Sequence, residues 1–173
     1  MSGMISPGQF IKRTHLLLHK SVHLCNCPAA MKRTRFADWN CSVARVTDLL
    51  GDWWTPLILR DAMRGITRFD EFHESLSLGR NTLTQRLERL VEEGMMERRQ
   101  YHERPPRYEY LLTEKGRDFF PVIAAMMRWG DRWLADGDPP LRLRHMTCGK
   151  VTTPTVVCSV CGEPLILGSV HRA

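Results

Sequence analysis

The sequence predicts a mainly helical α+β fold class with one small β-hairpin, followed by a short tail that carries cysteine and histidine. Three observations predict it. Apolar residues recur at helical spacing in successive segments between 40 and 94 and again between 113 and 134. Two strand-like runs flank a basic, proline-bearing loop at 102–107. Beyond a Gly- and Pro-containing linker at 137–140, histidine and cysteine recur at metal-ligand spacing.

Size and composition indicate one globular core. The 173 residues leave room for one ordinary domain and an appendage, and 43% hydrophobic with 25% charged residues is typical of a soluble protein. No apolar run approaches the roughly 20 residues that cross a bilayer. The run at 16–18 is too short for the core of an export signal. We therefore expect a cytoplasmic protein without membrane contact, and its net charge of +6 slightly favours polyanionic partners.

Three segments are predicted along the chain. Residues 1–30 differ from the rest and are expected to be a disordered extension, with Met31 as an alternative start of the functional chain. Residues 31–136 are expected to hold the main domain. Residues 137–173 are expected to hold the linker and a small metal-binding tail.

The first three predicted helices are short. The first covers about 40–50, with Asn40 as its N-cap and Gly51 as its stop. The second begins near Trp54, because a proline is tolerated in a first helical turn, and stops at Gly65. A third fits 69–76, and the fourth follows almost at once.

The fourth helix covers 80–94 and has an apolar stripe opposite a polar face. Strand-like runs at 95–100 and 108–112 then form a hairpin. A longer helical stretch extends to about 134, and Pro121 should start or kink it. Four helices, a hairpin and a further helix are the order of a winged helix-turn-helix, which is the predicted fold, with a zinc-ribbon-like tail after it.

Four sequence motifs resemble one known family. They lie at 49–60 (LLGDWWTPLILR), 68–72 (RFDEF), 83–87 (LTQRL) and 105–116 (PPRYEYLLTEKG). In collinear order over roughly 41–134, they resemble the HxlR family of transcription regulators. The resemblance implies a winged-helix fold, homodimerisation and sequence-specific binding to double-stranded DNA.

The polar face of the fourth helix is the predicted recognition surface, because the major groove, about 12 Å wide, accepts one helix. Asn81 and Gln85 suit adenine edges, and threonines near the helix N-terminus suit phosphate. For Arg86, a phosphate contact and an internal salt bridge both remain open. Taken alone, this face is also typical of an ordinary solvated helix. The candidate DNA contacts here are Arg80, Asn81, Thr82, Thr84, Gln85, Arg86 and Arg89.

The basic hairpin strengthens the DNA-binding interpretation. Between 98 and 108 four arginines accompany one glutamate, a net charge of 4 − 1 = +3. Arg104 and Arg107 are the predicted wing contacts to the DNA backbone or minor groove, and Arg68 is a weaker phosphate candidate. The alternative is a winged-helix protein-interaction module with a structural zinc tail. No catalytic arrangement or open metal site can be assembled from the sequence, so we expect no enzyme.

The last helix predicts a dimer interface. Phe120, Ile123, Met127 and Trp133 offer more apolar area than a small domain easily covers. A homodimer would bury this area and place two recognition helices roughly 34–36 Å apart on DNA. The alternative is that the face packs only on its own core.

The tail contains His145-x2-Cys148-x9-Cys158-x2-Cys161, a spacing suited to tetrahedral Zn²⁺. A tail this small can hardly fold without a metal ion that cross-links it. Four protein ligands would leave no open position, so the site would be structural. His171 is the substitute if His145 is not a ligand, and the alternative is four unconnected residues in a mobile tail.

Cys41 is a separate candidate. We expect it in the first turn of the first helix, where the helix dipole and basic residues at 32–35 would favour the thiolate. Some HxlR proteins that sense oxidants or electrophiles carry a cysteine just ahead of this helix, so the resemblance implies a redox-sensing residue and a small-molecule or oxidant signal. The competing interpretation, a half-buried unreactive residue, is the one that the sequence favours.

Overall fold

The computed structural model describes Phe36 and residues 38–171, so the predicted extension at 1–30 lies outside the described residues. Its order of elements confirms the predicted mainly helical fold with a small antiparallel hairpin. No helix in the described part is long and apolar enough to span a membrane. The elements are α1 (Ser42–Leu50), α2 (Trp54–Met63), α3 (Phe69–Leu76), α4 (Arg80–Glu92), β1 (Met96–Glu103), β2 (Pro106–Leu112), α5 (Glu114–Asp118), α6 (Phe120–Trp133), β3 (Leu143–Arg144) and β4 (Val151–Thr152).

One core holds the helix-turn-helix and the hairpin together. α3 and α4 are joined by a three-residue turn in which Ser77 takes a left-handed conformation, with φ 49°, and Leu78 is buried. The apolar stripe of α4 faces inward, as its period predicts. The buried cluster consists of Ile58, Leu59, Phe72, Leu76, Leu78, Leu83, Leu87, Leu90, Met95, Met96 and Tyr110.

The start of α1 differs from the prediction, whereas α2 begins at Trp54 as predicted. Cys41, and not Asn40, is the N-cap of α1, so Cys41 lies before the first turn instead of within it. For α2, the carboxylate of Asp52 accepts hydrogen bonds from the backbone N–H groups of Trp54 (2.7 Å) and Thr55 (3.1 Å). These bonds satisfy donors that a helix start otherwise leaves free.

The hairpin is longer than predicted. β1 pairs with β2 from Met96↔Leu112 to Glu103↔Pro106, so most of the expected loop at 102–107 is strand. The prediction was wrong because Pro106 opens β2, a position where a missing N–H is tolerated. The register shifts between Gln100 and His102, so Tyr101 is an extra residue of β1 without a pairing partner in β2.

A close contact joins the hairpin to α5. Thr113 donates its hydroxyl to the Gly94 carbonyl oxygen (2.7 Å) and accepts a bond from the Gly116 N–H (3.2 Å). A Cβ on Gly116 would lie 2.1 Å from the Met95 carbonyl oxygen, so only glycine fits. Pro121 lies in the first turn of α6 and starts that helix, which confirms its predicted role.

Candidate nucleic-acid interface

The outer N-terminal face of α4 carries free polar side chains. Asn81 and Gln85 are exposed, and neither side chain hydrogen-bonds to a described residue. They lie four residues apart and so share one face of the helix, whereas Leu83 and Leu87 are fully buried on the other. This first part of α4 is therefore free to contact a groove.

Three further polar residues flank this face. Thr82 and Thr84 are half-buried beside it. Arg80 forms an ion pair with Asp70 (2.9 Å), and its guanidinium lies 5.5 Å from the Phe69 ring centre. The side chains of the pair are 64% and 73% exposed. Since an exposed pair of this kind is worth little, a phosphate could compete for Arg80.

The arginines further along α4 point inward. Arg86 Nε lies 2.5 Å from an oxygen of Asp52, so the internal salt bridge, one of its two predicted roles, is the one observed. Arg89 donates to the backbone carbonyl of Asp48 (2.6 Å) and lies 3.9 Å from the carboxylates of Asp48 and Glu93. These contacts tie α4 to the end of α1 and the start of α2.

Sequence reasoning missed Asp48 and Asp52. Asp52 lies two residues before Trp54, the start of α2, and an aspartate at such a position is a recognisable signal for a helix cap. Its second contact, with Arg86, joins distant parts of the chain and leaves no local pattern. The same holds for Asp48 and Arg89, which are 41 residues apart in sequence.

The four wing arginines divide into two pairs. Arg98 stacks on the ring of Tyr108, with its guanidinium carbon 3.6 Å from the ring centre. Arg99 pairs with Glu109 at 2.8 Å. By contrast, Arg104 and Arg107 are exposed at the hairpin tip and form no ion pair with any residue that the structure describes. The unpaired positive charge of the wing therefore lies at its tip.

Arg68 lies between α3 and the wing. Its exposed guanidinium stacks over Tyr101 of β1, 5.0 Å from the ring centre, and its backbone N–H donates to Glu71 (3.1 Å). A groove of about 440 Å³ is lined in part by Arg68, Tyr101 and Arg107. Arg68, the weaker of the phosphate candidates, therefore lines the same groove as Arg107 of the wing.

Tyr110 fixes the wing to the helices. It is buried, and its N–H donates to the Thr67 carbonyl oxygen at 2.7 Å. Burial raises the pKa of Tyr110 above its ordinary value, partly opposed by the nearby charge of Arg98. The wing is thus a fixed part of the domain.

The apolar surface of α6 is exposed on a face rotated from the predicted one. Phe120 and Trp133 are 46% and 62% exposed, whereas Ile123 and Met127 are half-buried. The structure adds four exposed apolar residues at the same helix or its end. They are Val122, Met126, Trp129 and Leu134.

Cys41 is exposed and not half-buried as one interpretation expected. Its backbone carbonyl accepts the N–H of Arg45 (3.1 Å), so the residue stands at the positive end of α1.

The tail residues form two pairs. Cys148 Sγ lies 3.4 Å from His145 Nδ1. Hydrogen bonds from the backbone of Cys161, then of Val160, and from the Cys161 side chain lower the pKa of Cys158. Within residues 38–171, no three histidine, cysteine or acidic side chains form a group that could hold a metal ion. The structure thus brings His145 close to Cys148 and Cys158 close to Cys161. It does not bring these two pairs together into one site.

Comparison with known proteins agrees with this architecture. The family described as HxlR-like helix-turn-helix matches residues 49–138, about half of the chain. The HTH-type transcriptional regulator Rv3095 of Mycobacterium tuberculosis is 46% identical over 125 residues, which cover 72% of this chain and 79% of the relative.

Two solved structures are also similar. PA1607, named as a candidate transcription factor, has a TM-score of 0.72 and 38% identity over 81% of this chain and 99% of its own. The redox regulator HypR in its reduced form has a TM-score of 0.51 and 33% identity over 53% of this chain and 92% of its own. Both the family and these relatives are regulators and not enzymes. The chain is therefore a transcription regulator that belongs to the HxlR-like helix-turn-helix family.

Proposed function

We propose that the protein binds double-stranded DNA as a homodimer, with α4 in the major groove and the wing on the backbone or in the minor groove. One observation carries the proposal. The free polar face of α4, at Asn81 and Gln85, belongs to the same compact unit as the unpaired arginines of the wing tip, Arg104 and Arg107. Such a combination supplies base-edge contacts together with phosphate contacts.

The contacts of each side chain suggest its role. Asn81 and Gln85 are proposed to read base edges, because no described residue occupies their polar groups. Arg86 and Arg89 are proposed to orient α4, because acidic partners already hold their guanidinium groups. The remaining candidates are proposed to contact phosphate. These are Arg68, Arg80, Thr82, Thr84, Arg104 and Arg107.

Random duplex DNA tests the proposal. Preferred sites are selected from a random pool, and affinity is then measured by fluorescence anisotropy over a series of salt concentrations. We expect Gln85→Ala to weaken the selected site by about 1–3 kcal/mol while leaving random DNA nearly unchanged. Arg104→Ala should weaken both DNAs alike and flatten the salt dependence, since it removes a phosphate contact.

Arg142→Ala is the matched control for the loss of an exposed arginine, because Arg142 pairs with Asp138 away from the proposed interface. Equal losses on both DNAs from Gln85→Ala would remove Gln85 from base readout. If the protein ignored duplex DNA at low ionic strength, a protein-interaction module would replace the present proposal.

The exposed face of α6 supports the dimer. Trp129 and Trp133 are 58% and 62% exposed and lie one turn apart. Contiguous exposed apolar area of this kind usually marks an interface. We expect Trp129→Glu with Trp133→Glu to convert a dimer to a folded monomer in sedimentation velocity. A wild-type monomer at micromolar concentration would contradict the proposal.

Cys41 is proposed as a redox-sensitive residue. Its exposure at the N-terminus of α1 favours this role, and a similar structure, HypR, is described in reduced and oxidised forms. Peroxide would oxidise the thiolate to sulfenate with release of water. Alkylation of Cys41 against pH, with Cys41→Ser as the blank, tests the thiol. The reactivity of an ordinary free cysteine would contradict a sensor.

A further inference from the structure

The tail has secondary structure without an apolar core. No residue from 141 to 171 is buried, and Met146, Val160 and Leu167 are almost fully exposed. β3 and β4 pair over only two residues each. A segment with this little buried area cannot offset the entropy of ordering its chain, so it needs a covalent or metal cross-link.

Two loops of the tail share one backbone geometry. In the first, the His145 N–H donates to the Lys150 carbonyl (2.9 Å), and the Gly149 N–H donates to the His145 carbonyl (2.8 Å). Gly149 has φ 69°. The first bond joins residues five apart in sequence and the second joins residues four apart. The second loop has two bonds of the same spans.

In the second loop, the Cys158 N–H donates to the Glu163 carbonyl (2.8 Å), and the Gly162 N–H donates to the Cys158 carbonyl (2.9 Å). Gly162 has φ 75°, a left-handed conformation that favours glycine. Both loops therefore place a histidine or cysteine at the first and fourth positions and a left-handed glycine at the fifth. Two different sequences have folded into the same ligand-presenting turn.

The distance inside the first loop suits a metal. Zn–N bonds of about 2.0 Å and Zn–S bonds of about 2.3 Å place two tetrahedral ligands about 3.5 Å apart. Cys148 Sγ and His145 Nδ1 are 3.4 Å apart. In the second loop, the same backbone turn places Cys158 and Cys161 at its first and fourth positions, as the first loop places His145 and Cys148.

We propose that the tail binds one structural Zn²⁺ ion through the imidazole of His145 and the thiolates of Cys148, Cys158 and Cys161. Each loop supplies two ligands, and the ion draws the two loops together. The donor set of one nitrogen and three sulfurs selects zinc over magnesium or calcium, which prefer oxygen. Four protein ligands leave no position for substrate, so the ion cross-links the tail.

The ion would fix the tail beside α6. A cavity of about 580 Å³ is lined by Trp129 and Trp133 from the helix and by Leu143 and Thr152 from the two short strands. Ordering of the tail by zinc would therefore order one wall of this cavity. This inference does not depend on DNA binding.

Metal analysis of the full-length protein tests the proposal. The protein is purified under reducing conditions, and zinc is measured by elemental mass spectrometry. We expect one Zn²⁺ per chain, lost in Cys158→Ser and in Cys161→Ser and kept in His145→Cys, which restores a ligand. Co²⁺ exchanged into the site should give the visible spectrum of a tetrahedral ion and strong thiolate charge-transfer absorption.

Control variants locate the ion. The other two cysteines of the sequence, Cys25 and Cys27, lie outside the described residues. Three variants should keep one zinc per chain: Cys41→Ser, His171→Ala and the double variant Cys25→Ser with Cys27→Ser. The thermal transition of the main domain should persist in Cys158→Ser, which separates loss of metal from loss of the fold. The proposal is overturned if the reduced wild-type protein neither retains nor takes up Zn²⁺, or if the double variant loses the zinc while Cys158→Ser keeps it.

Discussion

The helical domain and the tail are held together in different ways. Between Ile58 and Tyr110, eleven buried apolar residues form one cluster. From 141 to 171 no residue is buried, although backbone hydrogen bonds close two matching loops. Burial of apolar area thus stabilises the first region, whereas backbone hydrogen bonds over short stretches of chain shape the second.

This difference predicts how each region responds to substitution. In a close-packed core, loss of a side chain removes both its transfer free energy and its contacts. An exposed apolar side chain of the tail contributes neither a transfer free energy of burial nor packing contacts. Matched substitutions in the two regions should therefore differ in their effect on the free energy of unfolding.

The largest difference is expected for an apolar truncation. Phe72 is fully buried, so Phe72→Ala should lower the free energy of unfolding by about 3–5 kcal/mol. Leu167 is fully exposed, and Leu167→Ala should change it by less than about 0.5 kcal/mol. Urea denaturation followed by circular dichroism measures both. A comparable loss from Leu167→Ala would show that the tail has a core of its own.

Glycine substitution should give the next largest difference. Gly116→Ala should cost about 3 kcal/mol, because the new Cβ would meet the Met95 carbonyl oxygen, which is part of the backbone and cannot move aside. Gly168→Ala meets no atom within 4 Å and costs only the strain of its φ of 91°, about 1 kcal/mol. Melting temperatures under identical buffer conditions compare the two variants. Equal shifts would contradict the close approach at Gly116.

The smallest difference concerns carboxylates. Asp61 is fully buried and accepts hydrogen bonds from Ser75 (2.7 Å) and Arg60 (2.8 Å). Asp61→Ala should cost about 2 kcal/mol, because it removes both hydrogen bonds and leaves a cavity at a fully buried position. Asp138→Ala breaks only an exposed pair with Arg142, so its cost should stay below about 0.5 kcal/mol. Urea denaturation measures the free energy of unfolding of both variants. If Asp61→Ala left this free energy unchanged, water would have replaced the carboxylate.

Much of the fold could be predicted from the sequence because its signals are local. Apolar residues at helical spacing, with Gly51 at the end of α1, predicted α1 to α4 to within two residues. The full length of the pairing between β1 and β2 could not be predicted from the sequence. Prolines near the tip suggested a loop, and only the structure shows that strand pairing continues to Pro106.

The candidate site was predictable in part. The amphipathic pattern separates the outer face of α4, with Asn81 and Gln85, from the buried stripe. Helical periodicity does not say which long side chains bend toward the core. Arg86 and Arg89 could be assigned to internal partners only when Asp52 and Asp48, distant in sequence, were located beside them.

The inward contacts of Arg86 and Arg89 have an evolutionary consequence. They anchor α4 through one set of side chains, while Asn81 and Gln85 contribute no hydrogen bond to the described structure. Substitutions at the two outer positions should therefore be nearly neutral for folding. If these two positions read the operator as proposed, copies of such a gene can acquire new operator preferences after duplication without first acquiring compensatory stabilising changes.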